Sequence, residues 1–370
     1  MKFPSLFTAV LLSILLMMSE RSLVAQLVVG GNSSNQSTNF TSGTNSFGTA
    51  IIGLNPGANN NTLSIANTNT LLNVTAYIYV GDSGSSNLVT ISNGGKFFTG
   101  TAYLGYGINS SNNSVLVTGT NSLWSNGGTL NIGSAGAGNN LTITGGAHVV
   151  DSNSSMGAFN KSSNNSVLVI GTNSLWSNSS SLVIGGAGTG NNYLAITGGA
   201  HVVDTYSIIG SSNASSNNLV LVTGSGSLWS NATSLTIGES GSGNNLVISN
   251  GGVIADFVGI IGSNALSPYN LEIGNSSNNA VMVTGTNSLW KNTNSLIVGS
   301  WGAGNNLTIA GGAHVVDTYS IIGSSNASSN NLVLVTGTNS LWSNSASLVV
   351  GSSGPDNTFT VSAGAHAIDS

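Results

Sequence analysis

An internal repeat of about 26 residues restricts the fold of this chain more than any other feature. Residues 164–216 show it in two lines, NNSVLVIGTNSLWSNSSSLVIGGAGTG and NNYLAITGGAHVVDTYSIIGSSNASS. Each line opens with an asparagine pair, continues with a short alternating apolar run, and contains two further runs, the last of which ends in Ile-Gly. A repeat of this length predicts a solenoid, in which each unit buries its apolar face by stacking on its neighbours.

The asparagine pair, or its remnant, marks twelve unit starts. They are Asn60, Ser86, Asn112, Asn139, Asn164, Asn191, Asn217, Asn244, Asn278, Asn305, Asn330 and Asp356. Successive starts are about 26 residues apart, except for one longer interval of about 34 residues after Asn244. Units with Ser-Leu-Trp alternate with units that carry Gly-Gly-Ala-His or a variant, so the full period is about 52 residues.

The apolar runs have the period of β-strands. Apolar residues alternate within them, as at Leu219 and Leu221, and clusters of Gly, Asn and Ser end them roughly every 8–10 residues. We therefore predict an all-β, right-handed parallel β-helix of roughly twelve coils, with three short strands per coil. A β-sandwich would not require the same turn residues at the same place in each unit. The asparagine pair should lie at one corner of every coil, where stacked amides hydrogen-bond along the axis.

The composition excludes several classes of protein. Only 4% of the residues are charged, and the chain has five Lys and Arg in total. Nucleic-acid binding needs clustered basic residues, so no nucleic-acid partner is expected. Alternating β-branched residues with low charge also argue against disorder. Cysteine is absent, so the rigidity must come from elsewhere, and stacked backbone ladders would supply it.

The chain divides into three parts. Residues 1–25 are typical of a signal peptide, with Lys2 before an apolar run at 6–18 and a cleavage point after Ala25. Residues 26–59 are predicted to form an N-terminal segment with a capping coil. Residues 60–370 are tandem β-helix repeats, which we interpret as truncated at the C-terminus. An excess of about eight residues around 267–270, including Pro268, predicts a protrusion from the array.

The histidines are the first candidates for chemistry, because all four occupy one place in the repeat. His148, His201, His314 and His366 are each followed three residues later by an aspartate: Asp151, Asp204, Asp317 and Asp369. Phe97 and Ile254 fill the histidine position in sister units, which indicates packing. Neighbouring imidazoles would also stand about 9.6 Å apart, too far to share a zinc ion. We predict no catalytic, cofactor-binding or metal-binding residues and no cofactor.

The Ser-Leu-Trp tryptophans leave two interpretations open. Trp124, Trp176, Trp229, Trp290 and Trp342 could form a stacking surface for sugars, or they could pack inside the coils. Leu72 at the equivalent position favours packing. Glycine-rich strings such as residues 185–190 lack the Gly-Lys-Ser/Thr of a nucleotide loop and are interpreted as turns. The glycosylation sequons at Asn178, Asn213 and Asn231 are expected by chance in this composition.

The units resemble the tandem repeat of type V secretion (autotransporter) and PEP-CTERM-associated bacterial surface proteins. That pattern has a Val-x-Val/Ile-x-Gly strand, Ser-x-Trp, Leu-x-Val/Ile-Gly and Leu-x-Ile-x-x-Gly-Gly, and residues 167–185 and 194–199 broadly meet it. The resemblance covers residues 60–370. It implies an exported passenger that forms a β-helix at the cell surface, often in adhesin-like proteins. Membrane attachment would then use a C-terminal region missing from this chain.

We therefore expect an exported, non-enzymatic passenger or stalk that is adhesin-like at the bacterial cell surface. Its partner would be a surface ligand, either a glycan or a host or matrix protein. Two alternatives stay open. One is a carbohydrate-binding or carbohydrate-active β-helix protein. The other is a purely structural matrix or ice-surface protein that uses flat Thr and Ser ladders.

Overall fold

The computed structural model shows an all-β parallel β-solenoid of about thirteen turns. It describes residues 25–159, 161–187, 190–263 and 276–370. The predicted signal peptide, apart from Ala25, and the insertion around Pro268 lie outside the described residues. The handedness of the coil stays a prediction.

Two sheets run the length of the described chain. Sheet A has 15 strands: β1 (Gln26–Val29), β3 (Gly43–Ile52), β5 (Thr70–Val80), β7 (Lys96–Leu104), β9 (Leu123–Asn126), β10 (Thr129–Ile132), β12 (His148–Met156), β14 (Leu175–Ile184), β16 (His201–Ile209), β18 (Leu228–Ile237), β20 (Val253–Ile261), β22 (Leu289–Val298), β24 (His314–Ile322), β26 (Leu341–Val350) and β28 (His366–Asp369).

Sheet B consists of 13 shorter strands within the same described ranges. They are β2 (Ser37–Phe40), β4 (Thr62–Ala66), β6 (Leu88–Ser92), β8 (Ser114–Thr118), β11 (Asn140–Thr144), β13 (Ser166–Ile170), β15 (Tyr193–Thr197), β17 (Leu219–Thr223), β19 (Asn245–Ser249), β21 (Ala280–Thr284), β23 (Asn306–Ala310), β25 (Leu332–Thr336) and β27 (Thr358–Ser362).

Each coil pairs with the next in parallel and in register. In sheet B, for example, Leu141 lies opposite Val167 and Ile143 opposite Val169. These four side chains point inward and are fully buried, as the alternation predicts. The segment 26–59 contains β1, β2 and β3; β1 pairs with β3, and β2 with β4. With this first coil the solenoid has about thirteen turns, against roughly twelve predicted.

The prediction of three strands per coil is wrong, because the second and third apolar runs join into one strand of sheet A. The join is a register irregularity, as between Ser177 and Ser181 of β14 against β16. No residue within β14 has a positive φ that would end the strand. One coil differs: Gly127 and Gly128 separate β9 from β10. A bulge in the other coils takes the place of the expected turn.

The two asparagines of each pair have different roles. One of them is a ladder asparagine: the second of the pair in most coils, and the first at Asn139, Asn244 and Asn305. Its backbone N–H and Nδ2 both donate to Oδ1 of the ladder asparagine in the next coil, at 2.8–3.3 Å. The ladder asparagines are Asn61, Asn87, Asn113, Asn139, Asn165, Asn192, Asn218, Asn244, Asn279, Asn305, Asn331 and Asn357. The predicted axial amide stack is confirmed.

The residue before each ladder asparagine adopts the left-handed conformation. Its φ is +55° to +61° where it is Asn, Ser or Asp, and three coils use Gly138, Gly243 or Gly304 instead. In those three coils the first asparagine of the pair is the ladder asparagine itself. Unit starts taken from the first asparagine were therefore one residue out of phase there with the other coils. Aligned on the ladder, the spacing is 26 residues except for 27 after Asn165 and 35 after Asn244. The insertion is thus nine residues, and the ladder continues across it from Asn244 to Asn279.

The glycine of each Ile-Gly corner lies directly against the ladder. Gly210, for instance, has φ +77°, and a Cβ at this position would overlap the carboxamide of Asn244. Gly53, Gly81, Gly105, Gly133, Gly238 and Gly299 meet their ladder asparagines in the same way. The corner therefore needs glycine both for its backbone conformation and for the space that the carboxamide occupies.

We expect Asn218→Ala to lower the free energy of unfolding by about 2–4 kcal/mol, because it leaves buried donors of Asn192 without an acceptor. Urea unfolding followed by circular dichroism measures the loss. Asn217→Gly is the matched control, since Asn217 is exposed and glycine fills the same place in three other coils. Equal losses in the two variants would contradict a stabilising role for the ladder.

Gly210→Ala should be more destabilising than Gly171→Ala. Both glycines have positive φ, +77° and +88°, so alanine would incur about 1–2 kcal/mol of backbone strain at either position. Only at Gly210 does the added Cβ also displace a ladder carboxamide; at Gly171 there is nothing within 4 Å. Thermal melts of the two variants test this difference. Similar melting temperatures would mean that backbone strain alone explains these glycines.

Candidate functional site

The repeated tryptophans are inside the solenoid. Trp124, Trp176, Trp229, Trp290 and Trp342 are fully buried. Their neighbours in the same inward-facing position are smaller, with Val149, Val202, Ile254 and Val315 in the intervening coils. Large and small side chains therefore alternate along the axis, as close packing requires. Of the two interpretations left open for these tryptophans, packing is confirmed.

A buried polar column runs beside the tryptophans. It alternates aspartate with asparagine: Asp151, Asn178, Asp204, Asn231, Asp256, Asn292, Asp317 and Asn344. Four of the tryptophans donate from Nε1 to the aspartate of the preceding coil at 2.7–2.9 Å. Trp124 donates to Thr99 instead, at 3.0 Å. These bonds explain why two unit types alternate, since each tryptophan coil needs an acceptor coil before it.

Burial dominates the electrostatics of this column. Desolvation raises the pKa of Asp151, Asp204 and Asp256 to about 7, although hydrogen bonds from tryptophan oppose the shift. The pKa of Asp317 is raised for the same reason. Ser154 also donates to Asp151, and Ser207 to Asp204. At Asp256 the corresponding residue is Gly259, and Oδ1 of Asp256 has no hydrogen-bond partner.

The histidines face outward, so their predicted alignment is corrected. His148 lies opposite Leu123 and Leu175, whereas Phe97 and Ile254 lie opposite tryptophans. His148, His201, His314 and His366 are exposed. The aspartate three residues later points to the other face of the strand, because side chains alternate. The His-x-x-Asp motif therefore does not place imidazole and carboxylate together.

The outer face of sheet A carries most of the distinctive exposed side chains. One outward column reads Lys96, Leu123, His148, Leu175, His201, Leu228, Val253, Leu289, His314, Leu341 and His366. The column beside it alternates valine with serine, as in Val150, Ser177, Val203 and Ser230. The outer face of sheet B has mainly Thr, Ser, Asn and aliphatic residues.

A tyrosine cluster interrupts the repeat near the N-terminal end of sheet A. Tyr79 and Tyr103 stack with centroids 5.2 Å apart and an interplanar angle of 11°. Tyr106 stands nearly perpendicular to both, 5.1 Å from each. Tyr77 and Tyr106 are 46% and 45% exposed. Tyr206 and Tyr319 share the column of Tyr77. The column of Tyr79 and Tyr103 has Ile, Val, Thr, Ser or Asn in the other described coils, so the solenoid does not require this cluster.

A groove opens where three successive coils enter sheet A. Its volume is about 210 Å³. Lys96, Leu123 and His148, the first residues of β7, β9 and β12, line it together with the corner residues Asn121 and Asn173. Nζ of Lys96 donates to the carbonyl of Asn121 at 2.5 Å. No sequence motif marked this groove; lysine at a position where other coils have Leu, Val or His was the available signal.

Other features singled out in the sequence can be placed in the described part of the chain. No cluster of three or more His, Cys, Asp or Glu that could hold a metal ion occurs there. Gly185, at the start of the glycine-rich string, belongs to a ladder corner. The sequon residues Asn178 and Asn231 are buried. The described residues include no apolar helix long enough to cross a bilayer.

Asp256→Asn should stabilise the protein above pH 7. Asp256 has a raised pKa in the folded state, so folding favours its neutral form and stability falls as pH rises from about 4 to about 7. Asparagine keeps an acceptor for Trp290, and position 256 lies opposite Asn292, whose Oδ1 and Nδ2 both lack a partner. Melting temperatures at pH 5 and pH 8 measure the effect. The exposed Asp356→Asn is the control, and an equal gain there would contradict the burial argument.

Comparison with known proteins yields one similar solved structure. No family model matches the chain, and no curated protein matches it. The solved structure is a hyper-glycosylated fragment of TibA, with glycosylation catalysed by TibC. It shares 14% sequence identity, with a TM-score of 0.41, over 94% of this chain and 98% of that one. At this level the similarity carries no information about function.

Proposed function

We propose that this chain is the exported, non-enzymatic passenger or stalk of a bacterial surface protein and that the outer face of sheet A binds an external ligand in an adhesin-like manner. One observation supports this most directly. The chain exposes histidine, lysine and clustered tyrosine on the outer face of sheet A, whereas sheet B exposes almost none of these types.

The location of the repeated carboxylates supports a non-enzymatic role. A glycoside hydrolase needs two carboxyl groups facing each other across the substrate. Asp151, Asp204, Asp256 and Asp317 are instead enclosed and bonded to tryptophans. Their hydrogen-bonding capacity is used to hold the coils together.

Export and surface location rest on the sequence. Residues 1–25 have the pattern of a signal peptide, and the repeats resemble those of secreted bacterial surface proteins. The absence of cysteine is compatible with passage across an outer membrane before folding. The solenoid itself supplies the rigidity that an exported chain without disulfides needs, through two continuous parallel sheets.

The structural alternative has one observation in its favour. Threonine or serine recurs in one outward column of sheet B, at Thr118, Thr144, Thr197, Thr223, Ser249 and Thr284. The adjacent column is largely aliphatic, with Leu116, Leu168, Leu221 and Val247. These strands therefore do not form a flat array of two threonine columns, which weakens the hypothesis that the chain is an ice-surface protein.

Bead attachment tests the proposal. Beads coated with the purified chain are passed over surfaces coated with mucin, polygalacturonate, fibronectin or albumin. We expect retention on at least one of the first three well above that on albumin. A sheet A variant with Val150→Ser, Val203→Ser and Val316→Ser should lose most of this retention. The fold should be kept, because serine fills this column in alternate coils.

The matched control lies on the opposite sheet. Leu168→Thr, Leu221→Thr and Leu334→Thr introduce a residue that the same sheet B column already contains at Thr142 and Thr308. This variant should be retained like the parent chain. Retention no higher than on albumin for every surface would refute the adhesive function, and release of reducing sugar from polygalacturonate would refute the non-enzymatic one.

A further inference from the structure

We propose that the groove bounded by Lys96, Leu123 and His148 binds an acidic sugar, with the Lys96 ammonium group holding its carboxylate and the His148 imidazole bonding its hydroxyl groups. This inference rests on the proposal that the outer face of sheet A is the binding surface, and it names the ligand class. It is carried by the shape of the groove, the sign of its charge and the side chains that surround it.

The charge of the groove is positive in a chain with very few cations. The described residues contain three lysines and no arginine: Lys96, Lys161 and Lys291. Of these, only Lys96 lies in the column that carries the histidines. Register places it two coils from His148, or about 9.6 Å along the axis, with Leu123 between them. No carboxylate lines the groove, so no negative charge there would repel an anionic ligand.

Lys96 is held in place and still has donors to offer. Its ammonium group gives one hydrogen bond to the carbonyl of Asn121 and has two protons left. Asn121 is fixed in turn, because it is a left-handed corner residue with φ +64°. In this conformation the backbone corner positions the charge at the groove, and a side chain already held in place loses less entropy on binding.

The remaining walls suit a sugar ring. Leu123 lies between Lys96 and His148 and offers an apolar surface to the C–H face of a pyranose. Thr120, Asn121 and Asn173 are exposed at the rim, and their hydroxyl and carboxamide groups can bond sugar hydroxyls. The groove, at about 210 Å³, is smaller than the roughly 300–1,000 Å³ of sites for drug-sized ligands. It therefore matches one monosaccharide unit.

Titration calorimetry with D-galacturonic acid, against D-galactose as the neutral counterpart, tests the groove. We expect the acid to bind at least tenfold more tightly than galactose, and affinity to fall as salt is raised. Lys96→Leu and His148→Leu should each weaken binding about tenfold. Both introduce the residue that neighbouring coils hold in this column, so the fold is kept, as the β-sheet circular dichroism signal should show.

His201→Leu is the matched control, because it removes the same side chain from a coil that has no lysine within two coils on the outer face of sheet A. It should leave galacturonate affinity unchanged. Equal affinity for galactose, no heat at millimolar galacturonate, or an equal loss in His201→Leu would overturn the assignment. Displacement of galacturonate by an equal concentration of acetate would overturn the sugar part, because the groove would then recognise a carboxylate alone.

The outcomes for the groove and for the adhesive function are separable. Galacturonate binding without bead retention on any surface would overturn the adhesive function and support the groove. Bead retention that persists in a chain showing no galacturonate binding would overturn the groove and support the function.

Discussion

The solenoid depends on how each corner satisfies a backbone N–H that has left the sheet. A ladder asparagine uses Oδ1 to accept both the N–H and the Nδ2 of its counterpart one coil earlier, so one side chain pairs two donors in a fully buried position. An unpaired buried donor would cost about 1–3 kcal/mol. Because the bond can form only when the asparagines coincide, the ladder fixes the register at 26 residues in most coils. It also excludes a side chain from the facing glycine.

The second constraint is the pairing of tryptophan with aspartate, which doubles the period. The tryptophans alternate with smaller inward side chains, which are valine or isoleucine in most coils and Phe97 before Trp124. Four of the five donate from the indole N–H to the aspartate one coil before. The packing of the tryptophans and the acceptors for their indole N–H groups both lie inside the solenoid, so the outer columns are free to vary. Departures from the repeat, such as Lys96, Tyr79, Tyr103 and Tyr106, occur there, which is why we propose that this face binds the ligand.

Sequence periodicity was sufficient for the β-strands, the stacking of coils and the amide stack, because alternation and fixed spacing depend on local geometry. It did not show that two apolar runs join into one strand of sheet A. Unit starts taken from the first asparagine also put three coils out of phase, since Asn and Gly both adopt the left-handed conformation that precedes the ladder. Sequence periodicity also aligned His148 with Phe97, an error of one residue that exchanges the two faces of a strand. Residues three positions apart on a strand point to opposite faces, so the separation of His and Asp in His-x-x-Asp could have been predicted from the sequence. The Trp–Asp bond joins different coils and needed the structure.

Hydrogen exchange at the asparagine side chains tests the ladder most directly. In a sample transferred to D₂O and followed by NMR, we predict that the carboxamide protons of the eleven fully buried ladder asparagines persist for hours, including those of Asn244 beside the insertion. Exposed asparagines such as Asn121 should exchange within minutes. Ladder carboxamides that exchange as fast as exposed ones would show that the corners are not held by these bonds.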